Sequence, residues 1–484
     1  MTILNKHAGL YTDHYELTMA QGYFFNNKKN TPASFDYFFR KNPFEGGYVI
    51  FAGLTDLLEV LETLRFDDED CKYLRSIGFA ADFVEYLKGF EFRADIYAPE
   101  EGEVVFPYEP VVRTEGNIIE TQIIETILLN MLNFESLIAT KAARIRQAAG
   151  DRLVIDFGLR RAQGLGGIHA SRAAVIGGAN STSNVYSAFM FSLESTGTQA
   201  HSWIQSYEDE LTAFRDFAKT FPQRCVFLVD TYDTLRSGIP NAVTVAREME
   251  ARGEKLFGIR LDSGDFAYLS KKARKMLDDA GLNYVKIMAS NQLDEYLIKS
   301  LLDQGAPVDA FGVGTNLITG RKDAALDGVY KLTMSGSRPR LKISENPEKI
   351  ILPGIKDVFR CIDNKGMFYA DCVSLSGEDN IEAIYHPSHP GVTCAVSQYR
   401  TELLFRKVMD QGRIVMDRKK PAEIAKYVCA RMGQLPEEHK RFENPHIYKV
   451  GITKKLMDLR SGIVDEIRRK YCIGGLDHES AFGC

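Results

Sequence analysis

The sequence predicts an α/β fold built on a parallel sheet, either closed into a barrel or open and doubly wound. From residue 153 onward, short β-type apolar runs alternate with amphipathic helical stretches. The runs begin roughly 25–30 residues apart, the length of a βα unit. The residues that follow each run are Asp, Thr, Arg, Ser, Asn and Gly, which carry chemistry as well as making turns.

Leu153-Val154-Ile155 leads into Asp156-Phe157-Gly158, and Val226 to Val229 leads into Asp230-Thr231-Tyr232-Asp233. A helix follows from Ala242 to Arg252 and stops at Gly253. Leu256 to Ile259 runs into Arg260-Leu261-Asp262-Ser263-Gly264-Asp265, and a helix from Phe266 to Ala280 stops at Gly281. Tyr284 to Met288 precedes Ala289-Ser290-Asn291, and a helix from Leu293 to Gln304 stops at Gly305. Asp309 to Val313 precedes Gly314-Thr315-Asn316. Glycine just past a helix supplies the left-handed residue that ends it.

The first third reads as mixed α and β. Tyr48 to Gly53 and Ala94 to Tyr97 look like strands, and Leu54 to Leu64 has helical apolar spacing. A longer helix is predicted over Thr121 to Ala149, with Lys141, Arg144 and Arg146 late and Gly150 after it. From Glu345 the βα repeat is lost, leaving short β-like pieces and a basic helical end. The expected division is an N-terminal α+β domain at 1–140, the βα core with the active site at 141–345, and an accessory region at 346–484.

The 484 residues suit two or three domains, or one barrel with additions. With 45% apolar and 26% charged residues, disorder, collagen and coiled coil are excluded as whole-chain descriptions. The net charge of −5 gives no basic footprint for nucleic acid. No apolar run is long enough for a membrane span. The first residues form no basic-then-apolar leader, so a cytoplasmic location is expected. The eight cysteines lack tight pairing and any CxxC, so free thiols without structural zinc are expected.

In both parallel architectures ligands bind where the loops converge at the carboxyl ends of the strands. His201, in Gly197-Thr198-Gln199-Ala200-His201-Ser202-Trp203, can act as acid, base or nucleophile, or be a buried structural histidine. Asp230 and Asp233, and Asp262 and Asp265, are carboxylate pairs at spacing three. Such acids hold Mg²⁺ or orient ribose hydroxyls, although each taken singly is equally well read as a helix N-cap. Arg160, Arg161, Arg236 and Arg260 offer planar forks for carboxylate or phosphate oxygens. Gly312-Val313-Gly314-Thr315 can turn backbone N–H groups and a hydroxyl towards a phosphate. It matches neither GxGxxG nor the P-loop.

These motifs, in order, resemble the nicotinate phosphoribosyltransferase family over nearly the whole chain. The resemblance rests on Leu10 to Ala20, Phe38-Phe39-Arg40, Gly158 to Gly164, Ser181 to Val185, the His201 segment, Leu228 to Gly238, Gly258 to Asp265, Ser290-Asn291, Gly312 to Thr315 and Gly328 to Leu332. It implies an irregular (β/α) barrel with an N-terminal α+β domain and a C-terminal extension. It also implies joining of nicotinate to 5-phosphoribosyl 1-diphosphate, coupled to ATP hydrolysis with Mg²⁺, as the first step of NAD salvage from nicotinate. By the same resemblance His201 would be phosphorylated transiently, with Asp262 and Arg260 as further catalytic residues. Tyr15 would stack on the pyridine, Arg160 and Arg260 would hold its carboxylate, and Asp13, Thr198, Ser202, Gly314 and Thr315 would bind substrate. The family further implies a homodimer in which the Asp13–Tyr15 segment completes the partner's site.

Three other readings are distinguishable. An enzyme preferring nicotinamide would face an acid to the ring substituent. A quinolinate enzyme would be shorter, more basic in its pocket and indifferent to ATP. A non-enzymatic binding protein would form no mononucleotide.

Overall fold

The computed structural model describes residues 6–343, 351–389 and 391–471. Its central sheet has six strands: β1 (Leu153–Asp156), β2 (Ser181–Thr182), β3 (Val226–Leu228), β4 (Gly258–Leu261), β5 (Lys286–Ser290) and β6 (Ala310–Val313). Their order is β2-β1-β6-β5-β4-β3, and every neighbouring pair is parallel.

The alternation of side chains divides this sheet cleanly. Val154, Ala289, Phe311 and Val313 pack outward with the helices Glu125–Ala149 and Gly166–Ile176. Phe227, Ile259, Leu261 and Ile287 pack outward with Glu210–Thr220, Ile239–Ala251 and Phe266–Asp279. Ile155, Met288 and Ala310 turn to the other face and form a small apolar cluster with Phe157. That face is concave, because one cavity of about 1300 Å³ is lined by residues from all six strands.

A closed ladder is not formed. The edge strands β2 and β3 are not hydrogen-bonded to each other among the described residues. Segment 194–198 borders the cavity, and its Ser195 makes one parallel bridge to Thr182. The expected barrel is therefore an open half-barrel sheet, because the chain between β2 and β3 contributes one bridge rather than a strand.

Two strand starts also differ from the periodicity. β4 and β5 begin at Gly258 and Lys286, two residues after the predicted starts. Leu256 and Val285 enter the outer core before the ladder begins, which is what their apolar character reports. Arg260 consequently lies inside a strand rather than in the turn after it. The long helix predicted from Thr121 is two helices, Ile118–Ile123 and Glu125–Ala149, separated at Ile124.

A seven-stranded antiparallel sheet packs beside this core. Its order is Arg338–Pro339, Gly328–Ser335, Pro32–Phe39, Val112–Asn117, Asp95–Ala98, Arg406–Asp410 and Arg413–Ile414. Strands from three distant stretches of chain thus share one sheet. The tail forms a third sheet of six strands, including Lys356–Ile362 and Phe368–Leu375, with helices Pro421–Gln434 and Lys454–Lys470. The fully buried Arg360 pairs with Asp371 at 2.6 Å and with Glu103 at 2.5 Å, joining this sheet to the N-terminal region. None of the described helices is long and apolar enough to cross a membrane.

Candidate active site

The predicted chemistry gathers at the carboxyl ends of β1, β3, β4, β5 and β6. Arg260 projects from β4 and is 13% exposed. Its Nη1 donates to Thr198 Oγ1 at 2.6 Å, and its Nη2 lies 4.0 Å from Asp262 Oδ1. Its Nε is buried without a partner. Burial chiefly lowers its pKa, with help from the Arg160 charge and against Asp262 and Asp230. A guanidinium held this way has unspent donor capacity for an anion.

His201 opens the one-turn helix His201–Gln205. The helix is anchored at both ends of its approach. Gln199 Nε2 donates to the Val226 carbonyl at 3.4 Å, and Trp203 Nε1 donates to the Ala213 carbonyl at 3.1 Å. The imidazole is not a buried core group, since its side chain is 38% exposed. Its Nδ1 lies 3.1 Å from Thr231 Oγ1 and its Nε2 lies 3.9 Å from Asp262 Oδ2. One ring nitrogen is thus held by a hydroxyl while the other faces a carboxylate.

The four strand-end acids divide by role. Asp233 accepts from the Leu235 and Arg236 N–H groups, and Asp265 accepts from that of Tyr268. Both are exposed helix caps, as the capping alternative has it. Asp230 Oδ2 instead accepts from Asp262 N–H at 2.9 Å and Ser263 Oγ at 2.6 Å, tying β3 to the end of β4. Its Oδ1 is buried and unpartnered. Asp262 accepts from Ser290 Oγ and faces His201 and Arg260.

Arg160 and Arg161 lie exposed on the turn Leu159–Arg161, without an ion pair among the described residues. Gly314 precedes the short helix Thr315–Ile318, whose Asn316 ties it to the carbonyls of Gln292 and Leu293. Ser202 is exposed on the His201 turn. Asp13 and Tyr15 are not brought into this group within one chain. Asp13 pairs with Thr126, and Tyr15, 48% exposed, has its phenol pKa raised by burial and by Glu16.

Two residues were missed by sequence reasoning. Phe157 follows β1 and sets its ring 5.9 Å from the Arg260 guanidinium. Gly312 makes room for it, since a Cβ there would meet the ring at 2.5 Å. With 29 phenylalanines in the chain, its place directly after a strand was the available signal. Asp156, fully buried, accepts from Thr182 Oγ1, Ser171 Oγ and Gly158 N–H at 2.7–2.8 Å. It fixes the turn that carries Phe157 and Arg160; burial raises its pKa against those hydrogen bonds.

Acid and histidine groupings close enough for a metal lie elsewhere among the described residues: His7, Asp67 and Asp70, and Asp56, Glu135 and His169. The second is an ion-pair cluster completed by the buried Arg172, which bonds Glu135 and Glu101 at 2.8 Å.

Family models match the chain in three consecutive stretches. Residues 10–133 match the nicotinate phosphoribosyltransferase N-terminal domain, 153–353 the nicotinate phosphoribosyltransferase family, and 355–460 its C-terminal domain. The nicotinate phosphoribosyltransferase of Bacillus subtilis (strain 168) is 42% identical over 472 residues, 95% of this chain and 96% of that one. The crystal structure of human nicotinic acid phosphoribosyltransferase is similar with a TM-score of 0.84 at 30% identity, covering 93% of this chain and 99% of that one. Nicotinate-nucleotide pyrophosphorylase from Pyrococcus furiosus is similar with a TM-score of 0.70 at 28% identity, covering 88% and 95%.

Proposed function

The chain belongs to the nicotinate phosphoribosyltransferase family, and on that premise we propose that it joins nicotinate to 5-phosphoribosyl 1-diphosphate. The products are nicotinate mononucleotide and diphosphate. The observation that carries the choice of substrate is Arg260, largely buried beside Phe157 with an unpartnered Nε, which suits a flat ring bearing one carboxylate.

The pyridine nitrogen lone pair forms the bond to the anomeric carbon as the bond to the diphosphate oxygen breaks. The diphosphate leaves with that electron pair, and positive charge develops on the sugar in between. Asp262 and Asp230 face this charge, while Arg160 and Arg260 hold the nicotinate carboxylate. Phe157 covers one ring face, and Tyr15 of the partner subunit covers the other in a homodimer. Thr198, Ser202, Gly314 and Thr315 line the substrate positions.

ATP is the co-substrate in this reading. Its γ-phosphoryl group passes to an imidazole nitrogen of His201, releasing ADP, and water later cleaves that bond to give phosphate. A phosphorylated His201 adds a charge of up to about −2 beside Thr231 and Asp262, and this new charge reorders the site for the diphosphosugar. The hard oxygens of Asp230 and Asp262 suit Mg²⁺, and Asp230 Oδ1 is buried without a partner. Held there, Mg²⁺ would supply positive charge against the departing diphosphate. A cytoplasmic location and the segments 1–140, 141–345 and 346–484 as units belong to the same reading.

The test is product analysis with pure protein given nicotinate, nicotinamide or quinolinate, each with the diphosphosugar and with or without ATP. Nicotinate should be preferred and ATP should stimulate turnover with formation of ADP. Preference for nicotinamide, or carbon dioxide release from quinolinate, would overturn the reading.

A further inference from the structure

The His201 imidazole and the Thr231 hydroxyl that holds it arrive from separate stretches of chain. His201 opens the turn His201–Gln205, which runs on to the helix Glu210–Thr220. Thr231 follows β3 and precedes a wide π-helical turn, Thr234–Gly238, which runs on to the helix Ile239–Ala251. The 3.1 Å contact between His201 Nδ1 and Thr231 Oγ1 therefore depends on how these two paths are held together.

Just past both groups, one carboxylate joins the paths. Glu210 Oε2 accepts from Ser237 Oγ and, at 2.9 Å, from Asn241 Nδ2. Asn241 also donates to Ser237 Oγ at 3.2 Å. Glu210 is 4% exposed. Its two donors are neutral, it forms no ion pair among the described residues, and its Oε1 is buried without a partner. Burying a carboxylate on neutral donors alone costs stability, and an apolar side chain would pack there at less cost. Packing therefore does not account for a charge at this position. The turn that it grips is closely seated. The Asp233 carbonyl accepts from the N–H groups of Ser237 and Gly238 at 3.0 and 2.9 Å, and a Cβ on Gly238 would collide with the Val229 carbonyl oxygen. Wide turns of this kind occur frequently at functional sites.

We propose that Glu210 is a positioning residue for the transfer of phosphate to His201, its carboxylate latching the His201 path to the Thr231 turn so that the ring keeps its angle. This rests on the ATP-coupled reading above and adds the residue that sets the geometry of its first step. A ring pinned at Nδ1 by Thr231 meets the γ-phosphoryl group in one orientation, with Asp262 3.9 Å from Nε2. Without the latch the ring samples other orientations, and the fraction in line with the breaking phosphorus–oxygen bond of ATP falls. The latch makes no hydrogen bond to Arg260, Asp262 or Asp230 among the described residues, so the pyridine chemistry is left in place.

The test reads phosphate uptake and pyridine chemistry separately. Unaltered protein, Glu210→Ala, Glu210→Gln and Ser237→Ala are given ATP labelled in its γ-phosphate. The initial rate of phosphate uptake by the protein is set beside ATP-independent mononucleotide formation. Glu210→Ala and Ser237→Ala should slow uptake by about ten-fold or more, with the ATP-independent rate and the nicotinate KM within about two-fold. Glu210→Gln keeps an acceptor oxygen and should stay within about three-fold of unaltered protein. Unchanged uptake in folded Glu210→Ala, or both rates falling together, overturns the proposal. Uptake as slow in Glu210→Gln as in Glu210→Ala overturns it too. Should the alanine variants not fold, hydrogen exchange on the unaltered protein decides. Amides of His201–Gln205 and Thr234–Gly238 should gain protection together on addition of ATP, and protection of one segment alone, or of neither, overturns the proposal. Failure of the ATP-coupled reading looks different, since the unaltered protein would then take up no phosphate.

Discussion

Arg260 and Thr198 are joined by a 2.6 Å hydrogen bond between β4 and the segment that delivers His201. The cation proposed to hold the carboxylate and the imidazole proposed to accept phosphate are thereby set by one structural unit. Thr198→Val leaves a buried guanidinium donor unmatched, a loss of about 1–3 kcal/mol. Nicotinate KM should rise by about ten-fold or more, and the preference over nicotinamide should narrow. Arg260→Lys should lose more, because an ammonium lacks the planar fork. Steady-state kinetics with both pyridines checks this, and unchanged selectivity in either variant would count against a carboxylate role.

His201→Asn should abolish ATP stimulation while leaving an ATP-independent rate. Intact-mass measurement after incubation with ATP should show one added phosphate on the unaltered protein and none on the variant. A phosphate retained by the variant would place the acceptor elsewhere.

Gly312→Ala should push Phe157 off its ring position, since the added methyl has no space beside it. The expected signature is weaker nicotinate binding with the diphosphosugar KM little changed. Calorimetric titration with nicotinate separates this from a general loss of fold.

Stability should fall in alkaline solution because of His169. Burial lowers its pKa, but hydrogen bonds and charge from Asp56 and Glu135 outweigh this and raise it to about 10. The folded chain keeps a proton that the unfolded chain sheds near pH 6.5. The stabilisation is complete below that pH and drains away as pH climbs through 10. Urea denaturation between pH 6 and 10 should show this slope, and His169→Gln should flatten it.

Glu295 is fully buried between Lys141 and Arg144, at 2.7 and 2.8 Å. Burial pushes its carboxyl pKa up, but the two cations prevail and hold it below the ordinary value. Glu295→Gln strands two buried cations and should cost about 3–5 kcal/mol in a denaturation midpoint series. A loss under 1 kcal/mol would show that water reaches the site.

The βα repeat was legible because buried parallel strands read as continuous apolar runs and glycines mark the helix ends. Asp262 and Arg260 were legible as reactive types beside those runs, and His201 as a titratable group following Gly197-Thr198. The division among the acids was not, because Asp230 and Asp233 look alike until the backbone shows which one caps a helix. Phe157 was hidden for a similar reason, since an aromatic residue after a strand reads as core. The half-open sheet depended on the irregular path between Thr182 and Val226, where no periodicity speaks.

The antiparallel sheet that flanks the core pairs Pro32–Phe39 with Gly328–Ser335, and Asp95–Ala98 with Arg406–Asp410. On the ribosome, the first of these segments waits for nearly three hundred more residues before its neighbour exists. At roughly 5–20 residues per second that is on the order of fifteen to sixty seconds of exposed strand edge. A nascent chain of this design needs its early edges shielded, and a gene cut short before codon 406 yields a polypeptide whose Asp95–Ala98 edge stays permanently bare.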